Sequence, residues 1–257
     1  MGLLPPADSR TGALLVDAGN TAVKWVRLGA AGDLVAPGYA AYGEASLERV
    51  LDGAWGGWAP PPSVWLASVA DRAVARTIAA WCRQAWGLVV RSVSAEATGF
   101  GVSNGYAEPA QLGVDRWLAI LGARARCAGA FCVTDCGTAA TVDAVAAGGR
   151  HLGGFIVPGI ELSRRALLEF TRIPRIGASG SAEEFGTDTA AAVALGSRRA
   201  LAGVVHFVLR RLAAAGEAPQ LFLTGSEATA VRALVDGPVT EAPHLVLEGL
   251  ARYAKRG

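Results

Sequence analysis

The order of apolar and polar positions in the first half of the chain predicts three strands, then helix, strand, helix and strand. Apolar-rich segments at 13–17 and 21–28 flank a Gly-Asn turn, and 33–42 supplies a third strand. The elements predicted after them are a short helix at 45–52, a strand at 63–69, a helix from Asp71 to about Trp86, a strand at 88–93 and a helix from about Gln111 to Cys127. One apolar face of the helix after Asp71 is formed by Val74, Ile78, Trp81 and Ala85.

The second half of the chain repeats this order. Strands are predicted at 130–136, 139–146 and 152–157, and a helix follows from Pro158-Gly159 to about Phe170, with the proline in its first turn. The remaining predicted elements are a long helix from Asp188 or Thr189 to about Ala215 after a Gly/Ser-rich loop at 177–187, a strand at Gln220–Thr224, and helices at 226–235 and 246–255. The order of elements in each half therefore predicts a mixed sheet packed by helices.

One short sequence motif occurs in both halves of the chain. Val-Asp-Ala-Gly-Asn-Thr-Ala at 16–22 returns as Thr-Asp-Cys-Gly-Thr-Ala-Ala at 134–140, nearly half the chain away. A single such phrase would mean little, because Asp-Gly and Gly-Asn are ordinary hairpin turn residues. Its recurrence in a matched context indicates one fold present twice. We expect two domains, at 1–118 and 119–257, with the pivot near 117–129, although composition marks no linker there.

Composition and charge exclude several classes of protein. The chain has 257 residues, 52% of them hydrophobic and 18% charged, so it can bury a substantial core. Its 24 basic and 22 acidic residues give a net charge of +2, which argues against a nucleic-acid partner, and the Arg pairs at 164–165, 198–199 and 210–211 are interpreted as solvated helix faces. No apolar run long enough to span a membrane and no basic leader with an apolar segment occurs, so we expect a cytoplasmic protein without a membrane partner.

The cysteines and histidines do not suggest a metal centre. Cys132 and Cys136 share a predicted strand, where four residues at ~3.3 Å each separate them by ~13 Å, too far to bind one ion. They are interpreted as small buried residues. The three histidines, His151, His206 and His244, are scattered and are interpreted as structural.

The two Asp-Gly turns have the chemistry of a nucleotide site. Glycine lets backbone N–H groups approach phosphate oxygens without a Cβ in the way, and a carboxylate at a strand end can hold a cation beside the same phosphates. The first turn (19–21) and the second turn (137–138) could thus hold one triphosphate between them. For either aspartate alone, a hairpin cap is an equally good interpretation.

Seven short blocks then occur in order along the chain. They are Asp17-Ala-Gly-Asn-Thr21 with Lys24-Trp25, Asn104-Gly-Tyr106, Leu112-Gly-Val-Asp-Arg-Trp117, Asp135-Cys-Gly-Thr-Ala139 with Thr141 and Asp143, Gly153-Gly-Phe-Ile-Val-Pro-Gly159, Asp188-Thr189, and Leu223-Thr-Gly225. With these blocks the chain resembles the type III pantothenate kinases, of the acetate and sugar kinase, heat-shock-cognate and actin superfamily. The resemblance implies an α/β fold of two duplicated actin-like (ribonuclease H-like) domains. Each would have a mixed five-stranded sheet packed by helices, with the active site in the cleft between them.

The resemblance also implies which residues bind ATP and its cations. The phosphate-binding residues would be Asp17, Ala18, Gly19, Asn20, Thr21, Ala22, Val23, Lys24, Gly137 and Thr138. Asp17 would orient Mg²⁺ through water, because Mg²⁺ keeps part of its hydration shell. Asp135 resembles the family's ligand for a monovalent cation, K⁺ or NH₄⁺. Strand alternation places Lys24 on the same side as Ala22 and Val26, which leaves open whether it reaches phosphate.

For the second substrate, the resemblance implies a set of contacts around a general base. The residues concerned are Tyr106, Gly113, Val114, Asp115, Arg116 and Thr189. Asp115 resembles the family's proton acceptor, although the helix dipole would favour an Asp in the first turn in any case. Arg116 can pair in a bidentate manner with the carboxylate of pantothenate. Tyr106 offers a ring wall or is ordinary packing, and Thr189 contacts substrate, in this family from the partner subunit, or is an N-cap.

The expected function is ATP-dependent phosphorylation of pantothenate to 4′-phosphopantothenate, the first step of coenzyme A biosynthesis, by a homodimer. The dimer is expected from the apolar face of the long helix, at Val193, Leu195, Leu201, Val204, Val205, Val208 and Leu212. The alternatives are a catalytically silent nucleotide-binding regulatory (transcription accessory) protein and a kinase of another small hydroxy acid. The Asp115-Arg116 pair argues against the first, and the Gly-Val-Asp-Arg block against the second. Ser226, where the family usually has Gly, caps the next helix or crowds an adenine.

Overall fold

The computed structural model describes residues 12–43, 46–174 and 184–256. These residues form two compact units. The first contains the described residues up to Phe100, Ala107–Gly122 and the segment from Leu245, and the second contains Gly101–Tyr106 and the described part of Ala123–His244. The predicted domains 1–118 and 119–257 are contiguous in sequence, whereas the first unit also includes residues 119–122 and the segment from Leu245, and the second unit includes Gly101–Tyr106.

The elements follow the predicted order. Up to residue 126 they are β1 (Leu14–Ala18), β2 (Ala22–Leu28), β3 (Leu34–Ala41), α1 (Leu47–Trp55), β4 (Val64–Ser68), α2 (Arg72–Trp86), β5 (Val90–Ser92), β6 (Thr98–Gly99), β7 (Val102–Ser103), a 3₁₀ turn at Pro109–Gln111 and α3 (Val114–Arg126). After it come β8 (Phe131–Cys136), β9 (Ala139–Val145), β10 (His151–Pro158), α4 (Ile160–Phe170), α5 (Thr189–Ala214), β11 (Gln220–Thr224), α6 (Ala228–Arg232), β12 (Val239–Glu241) and α7 (Leu245–Arg256).

The two units contain sheets of the same design. The strand order is β3-β2-β1-β4-β5 in the first and β10-β9-β8-β11-β12 in the second. In both, the central strand pairs antiparallel with the strand that follows it and parallel with the strand on its other side. Asp17 lies near the end of β1 and Asp135 near the end of β8, so the two aspartates occupy corresponding places. The predicted duplication of a five-stranded mixed sheet is confirmed.

The core of the first unit lies between its sheet and helices on both faces. Helices α1 and α2 pack with β1, β2 and β4 around a cluster of tryptophans, in which Trp55 is fully buried and lies 5.5 Å from Trp25 and 5.6 Å from Trp81 between ring centroids. Helix α7 also packs against β1. Burial on both faces explains why β1 is a continuous apolar run interrupted only by Asp17. In α2, Cys82 joins Ile78 and Trp81 inside, whereas Ala85 is exposed, contrary to prediction.

Helix α5 covers the sheet of the second unit. Leu201, Val205, Val208 and Leu212 are buried in a core cluster with residues of β8, β9, β11 and α6. By length and composition α5 could also cross a membrane, although a core helix can pass the same test. In its most apolar window, 28% of the helix is buried inside the structure. Four of the seven residues of the predicted apolar face thus lie in the chain's own core.

Several boundaries differ from the predictions. Pro158 ends β10 and Gly159 is the N-cap of α4, so the proline is not in the first turn of the helix. The helix predicted at 226–235 covers only Ala228–Arg232, and the short strand β12 was not predicted. Of the Gly/Ser-rich loop at 177–187, residues 177–183 lie outside the described residues, as do residues 44 and 45 near α1.

Candidate functional site

The first turn joins β1 to β2 and is fixed by backbone hydrogen bonds. The N–H of Gly19 donates to the carbonyl of Ala22 at 3.0 Å, and the N–H of Tyr42 donates to the carbonyl of Thr21 at 3.1 Å. The Tyr42 hydroxyl donates to the Gly19 carbonyl. Burial raises the pKa of Tyr42, so its hydroxyl keeps the proton for this bond. Asn20 and Thr21 remain exposed at the tip.

Side chains around the first turn divide into buried and accessible ones. Ala18, Ala22 and Val23 are buried, so only their backbone could serve a phosphate. Lys24 is exposed and is the cross-strand partner of Asp17. Because directly paired residues of antiparallel strands project from the same face, Lys24 lies on the side of the sheet that carries Asp17. This pairing favours a role for Lys24 beside the phosphates.

The second turn packs against the end of β11. Asp135 in β8 is the parallel partner of Thr224, and Gly225 follows directly. A Cβ on Gly225 would lie 2.5 Å from both Oδ1 of Asp135 and the carbonyl oxygen of Cys136, and Gly225 has a φ of +90°. Glycine is therefore required here, both by the close packing and by the positive φ.

Glu227 fixes the surroundings of the second turn and was not identified from the sequence. Its two carboxylate oxygens accept the N–H groups of Ile160 at 2.7 Å and Glu161 at 2.9 Å, at the start of α4. Its own N–H donates to the carbonyl of Cys136 at 3.0 Å. Glu227 therefore caps α4 and holds the second turn. In the sequence, only its position two residues after Gly225 indicated that Glu227 could lie near the second turn.

Asp115 lies in the first turn of α3, as predicted. Its Oδ1 accepts the N–H of Arg116 at 2.8 Å. A Cβ on Gly113 would come within 2.5 Å of that oxygen, so Gly113 leaves room for the carboxylate. Val114 is buried, and Arg116 is only 5% exposed. Since a buried guanidinium needs fixed acceptors, Arg116 is better suited to ion pairing than to a solvated surface.

The other predicted substrate residues lie in the second unit. Tyr106 is half-buried and its ring is stacked on that of His151. Thr189 is exposed and is the first residue of α5, whose N-cap is Asp188, with its carboxylate accepting the N–H of Ala191 at 2.8 Å. The interpretation of Thr189 as an N-cap is therefore wrong. Ser226 is exposed and does not cap α6, since Glu227 occupies the cap position.

The cysteine side chains behave as buried thiols. Burial raises the pKa of Cys132 and of Cys136 to about 12, so both stay protonated, unlike the thiolates that bind metals. In the part of the chain that the structure describes, no group of three or more His, Cys, Asp or Glu side chains could hold a metal ion.

Comparison with known proteins gives consistent similarity over nearly the whole chain. The family model for type III pantothenate kinase matches residues 13–211. A type III pantothenate kinase from Nitrosococcus oceani is 35% identical over 94% of this chain and 93% of its own length. Those from Halorhodospira halophila and Burkholderia vietnamiensis are 38% and 37% identical, over 94% and 95% of this chain and 97% of their own lengths.

Solved structures share the fold at lower identity. A Campylobacter jejuni protein assigned to the Baf family of transcriptional activators has a TM-score of 0.64 at 17% identity, covering 95% of this chain and 98% of its own. The activator of 2-hydroxyisocaproyl-CoA dehydratase from Clostridium difficile, with bound ADPNP, has a TM-score of 0.55 at 14% identity, covering 95% and 94%. At such identities the likeness shows the fold alone. It agrees with the predicted actin-like class.

Proposed function

This chain belongs to the type III pantothenate kinase family, which phosphorylates pantothenate with ATP in the first step of coenzyme A biosynthesis, and we propose that Asp115 is the general base of that reaction. The reaction needs the triphosphate held, its charge neutralised and the acceptor hydroxyl aligned with the γ-phosphorus. Asp115 is suited to the last task because the N–H of Arg116 fixes its carboxylate in the first turn of α3. An aspartate is a weak base, so it contributes mainly by positioning the hydroxyl.

The observation that carries the proposed ATP site is the matched placement of Asp17 and Asp135. Each lies near the end of the central strand of a sheet with the same strand order, directly before a glycine turn. Backbone N–H groups of such turns bind phosphate oxygens, and the carboxylates serve the accompanying cations. The first turn with Lys24 and the second turn with Thr138 would bind ATP, whereas Tyr106, Arg116 and Thr189 would bind pantothenate.

A kinase of this family uses ATP together with a divalent metal ion. The proposed ion is Mg²⁺, held by the phosphates and by Asp17 through water. A monovalent cation, K⁺ or NH₄⁺, would be held by Asp135. Asp135 offers carboxylate oxygens at the end of β8, which are donors that a hard cation of this type prefers. Such a cation offsets triphosphate charge, which lowers the cost of binding ATP beside Asp135.

The direct test is to incubate the purified protein with ATP, Mg²⁺, K⁺ and pantothenate and to detect phosphopantothenate by mass. Asp115→Asn should lower kcat by roughly 10²-fold or more while leaving ATP affinity nearly unchanged. The matched control is Asp71→Asn, because Asp71 only caps α2 and Asn is an equally good N-cap. Near-full activity of the Asp115 variant would contradict the assignment. Bound ATP without any product would favour the regulatory alternative instead.

The monovalent cation is tested separately. We expect higher activity in K⁺ than in Na⁺ at equal ionic strength, because Asp135 lies beside the second turn, where a cation balances the phosphates. Asp135→Ala should remove the difference between the two salts together with most of the activity. Equal rates of the unaltered protein in the two salts would count against this site.

A homodimer is proposed on a surface different from the one first predicted. Strand β10 is an edge strand, and its Phe155 and Ile156 are 43% and 64% exposed. Phe170 at the end of α4 is 80% exposed, and Phe207 of α5 is 51% exposed and lies 5.8 Å from Phe155 between ring centroids. An edge strand and neighbouring helices that expose large apolar side chains favour association with a second copy. The pantothenate contact of Thr189 would then come from the partner.

A further inference from the structure

The segment that ends at Tyr106 lies against the start of β10, within the second unit. The N–H of Ser103 donates to the carbonyl of Gly149 at 3.0 Å, and Ser103 forms a parallel bridge with Arg150. A Cβ on Gly105 would lie 2.1 Å from the carbonyl oxygen of His151, so only glycine permits this approach. The path of the chain into Tyr106 is therefore set by β10.

The His151 side chain holds the same segment through two contacts and is itself held by a third, to Asp143 of β9. Its Nδ1 lies 3.4 Å from the N–H of Gly105, its Nε2 lies 2.9 Å from Oδ1 of Asp143, and its ring stacks on that of Tyr106 at 6.0 Å with an interplanar angle of 12°. The His151 and Asp143 side chains are both almost fully buried, at 0% and 1% exposure. The N–H of Tyr106 also donates to Oδ1 of Asn104 at 3.0 Å, which shapes the turn.

The hydrogen-bond donors around His151 determine which tautomer its imidazole ring adopts. Gly105 offers an N–H, so Nδ1 must be an acceptor. The ring proton is then on Nε2 and donates to the carboxylate of Asp143, which fixes both the tautomer and the ring plane. A ring held in this way presents one face to Tyr106 in a single orientation. A proton on Nδ1 would oppose the Gly105 N–H and release the segment.

We propose that His151, oriented by Asp143, is a positioning residue that holds Tyr106 in place to bind pantothenate. The proposal rests on the proposed contact of Tyr106 with that substrate. Side chains around a substrate must be held by their own neighbours to bind it well, and a contact residue in a Gly- and Asn-containing turn has little support from its own element. His151 supplies this support from the sheet. It touches neither substrate itself.

The kinetic test uses His151→Asn, whose amide oxygen can still accept from Gly105 but has no ring to stack on Tyr106. We expect the KM for pantothenate to rise about tenfold, the order of effect of one aromatic contact, with kcat and the KM for ATP changed less than about twofold. The matched control His244→Asn should leave all three constants unchanged. A purely structural His151 would instead lower the melting temperature without separating the two KM values.

A second pair of measurements separates the proposal from the function on which it rests. If Tyr106→Ala leaves the KM for pantothenate unchanged, the substrate contact itself is wrong. If Tyr106→Ala raises that KM but His151→Asn does not, the contact stands and the positioning role is wrong. When His151 acts through Tyr106, adding His151→Asn to Tyr106→Ala has no further effect on the KM.

If the His151 variant does not fold, the proposal can be tested by NMR on a protein that keeps both His151 and Tyr106. In the His206→Gln, His244→Gln protein, His151 is the sole histidine, so its ring nitrogens can be observed by NMR without assignment. We expect a neutral ring protonated at Nε2, whose signals shift on addition of pantothenate but not of an ATP analogue. An Nδ1-protonated or doubly protonated ring at pH 7.5, or signals that pantothenate leaves unmoved, would overturn the proposal.

Discussion

The glycines of the two turns differ from Gly225 in what surrounds them. A Cβ on Gly19 would lie 3.6 Å from its nearest neighbour, and one on Gly137 would lie 3.4 Å away, both ordinary contacts. Neither has a positive φ. The protein's own backbone and packing therefore do not require glycine at these positions. If glycine matters there, the reason is the approach of a phosphate, whereas Gly225 is required by the fold.

We predict that Gly19→Ala and Gly137→Ala fold with free energies of unfolding within about 1 kcal/mol of the unaltered protein but raise the KM for ATP by roughly tenfold or more. Gly225→Ala, by contrast, should destabilise the protein by about 1–3 kcal/mol because of its clash with Asp135 and its positive φ. Urea unfolding and steady-state kinetics measure the two effects. An unchanged KM for ATP in both turn variants would remove the phosphate role of the turns.

The sequence could predict where the candidate site residues lie in the fold when they follow regular local patterns. Asp17 and Asp135 lie near the ends of apolar strands and precede glycine turns, and Asp115 lies in the first turn of a helix. The sequence could not predict the contacts of Glu227, which caps a helix 67 residues earlier in the chain, or those of His151, which holds a turn 46 residues away. Such contacts depend on how distant segments pack, and no spacing rule encodes them.

At the scale of elements, Glu227 replaces a local cap. The N-cap of α4 is Gly159, which has no side chain to bond the first N–H groups of the helix. A Cβ on Gly159 would lie 2.1 Å from the carbonyl oxygen of Gly137 and 2.8 Å from that of Thr138. Close packing of α4 on the second turn thus excludes a capping side chain there, and a carboxylate from beyond β11 performs its task.

We predict that Glu227→Ala lowers the free energy of unfolding by about 1–2 kcal/mol, because two N–H groups at the start of α4 lose their acceptors. It should also raise the KM for ATP, since α4 and Glu227 support the second turn. Glu48→Ala is the control: Glu48 is exposed in the first turn of α1, where only the weaker dipole effect is lost. Equal destabilisation by the two variants would show that Glu227 acts by charge alone.

Element boundaries were mispredicted where an edge or a tertiary contact overrides a local signal. Pro158 resembles a proline in the first turn of a helix, but β10 is an edge strand, where a residue without an N–H is tolerated. The apolar face of α5 was predicted to form a dimer contact, and four of its seven residues lie in the chain's own core. Hydrophobic spacing alone cannot distinguish burial within a chain from burial between two copies.

At the scale of the whole molecule, the second unit retains a large apolar surface after its core is complete. Ile156, Phe170 and Phe207 remain more than half exposed. Phe170 and Phe207 lie on the adjacent helices α4 and α5, and Phe207 contacts Phe155 of β10, whereas Ile156 projects from the opposite face of that edge strand. A self-complementary contact of this kind gives a C₂ dimer with two equivalent sites. We therefore expect sedimentation and light scattering to give the mass of two chains.

The dimer also makes a prediction about activity, because Thr189 would complete the pantothenate site of the neighbouring subunit. Asp115→Asn and Thr189→Arg should each be inactive alone. When the two variants are mixed under conditions of subunit exchange, half of the sites in each heterodimer carry both changes and the other half carry neither. Mixed samples should therefore regain activity, up to about one quarter of that of the unaltered protein at equal amounts, because about half of the dimers are mixed by random pairing. Phe170→Asp places a charge on the exposed apolar surface, so it should prevent both dimerisation and the return of activity in mixed samples. If subunit exchange is confirmed by mass and no activity returns, Thr189 contacts the pantothenate of its own subunit and the shared site is excluded.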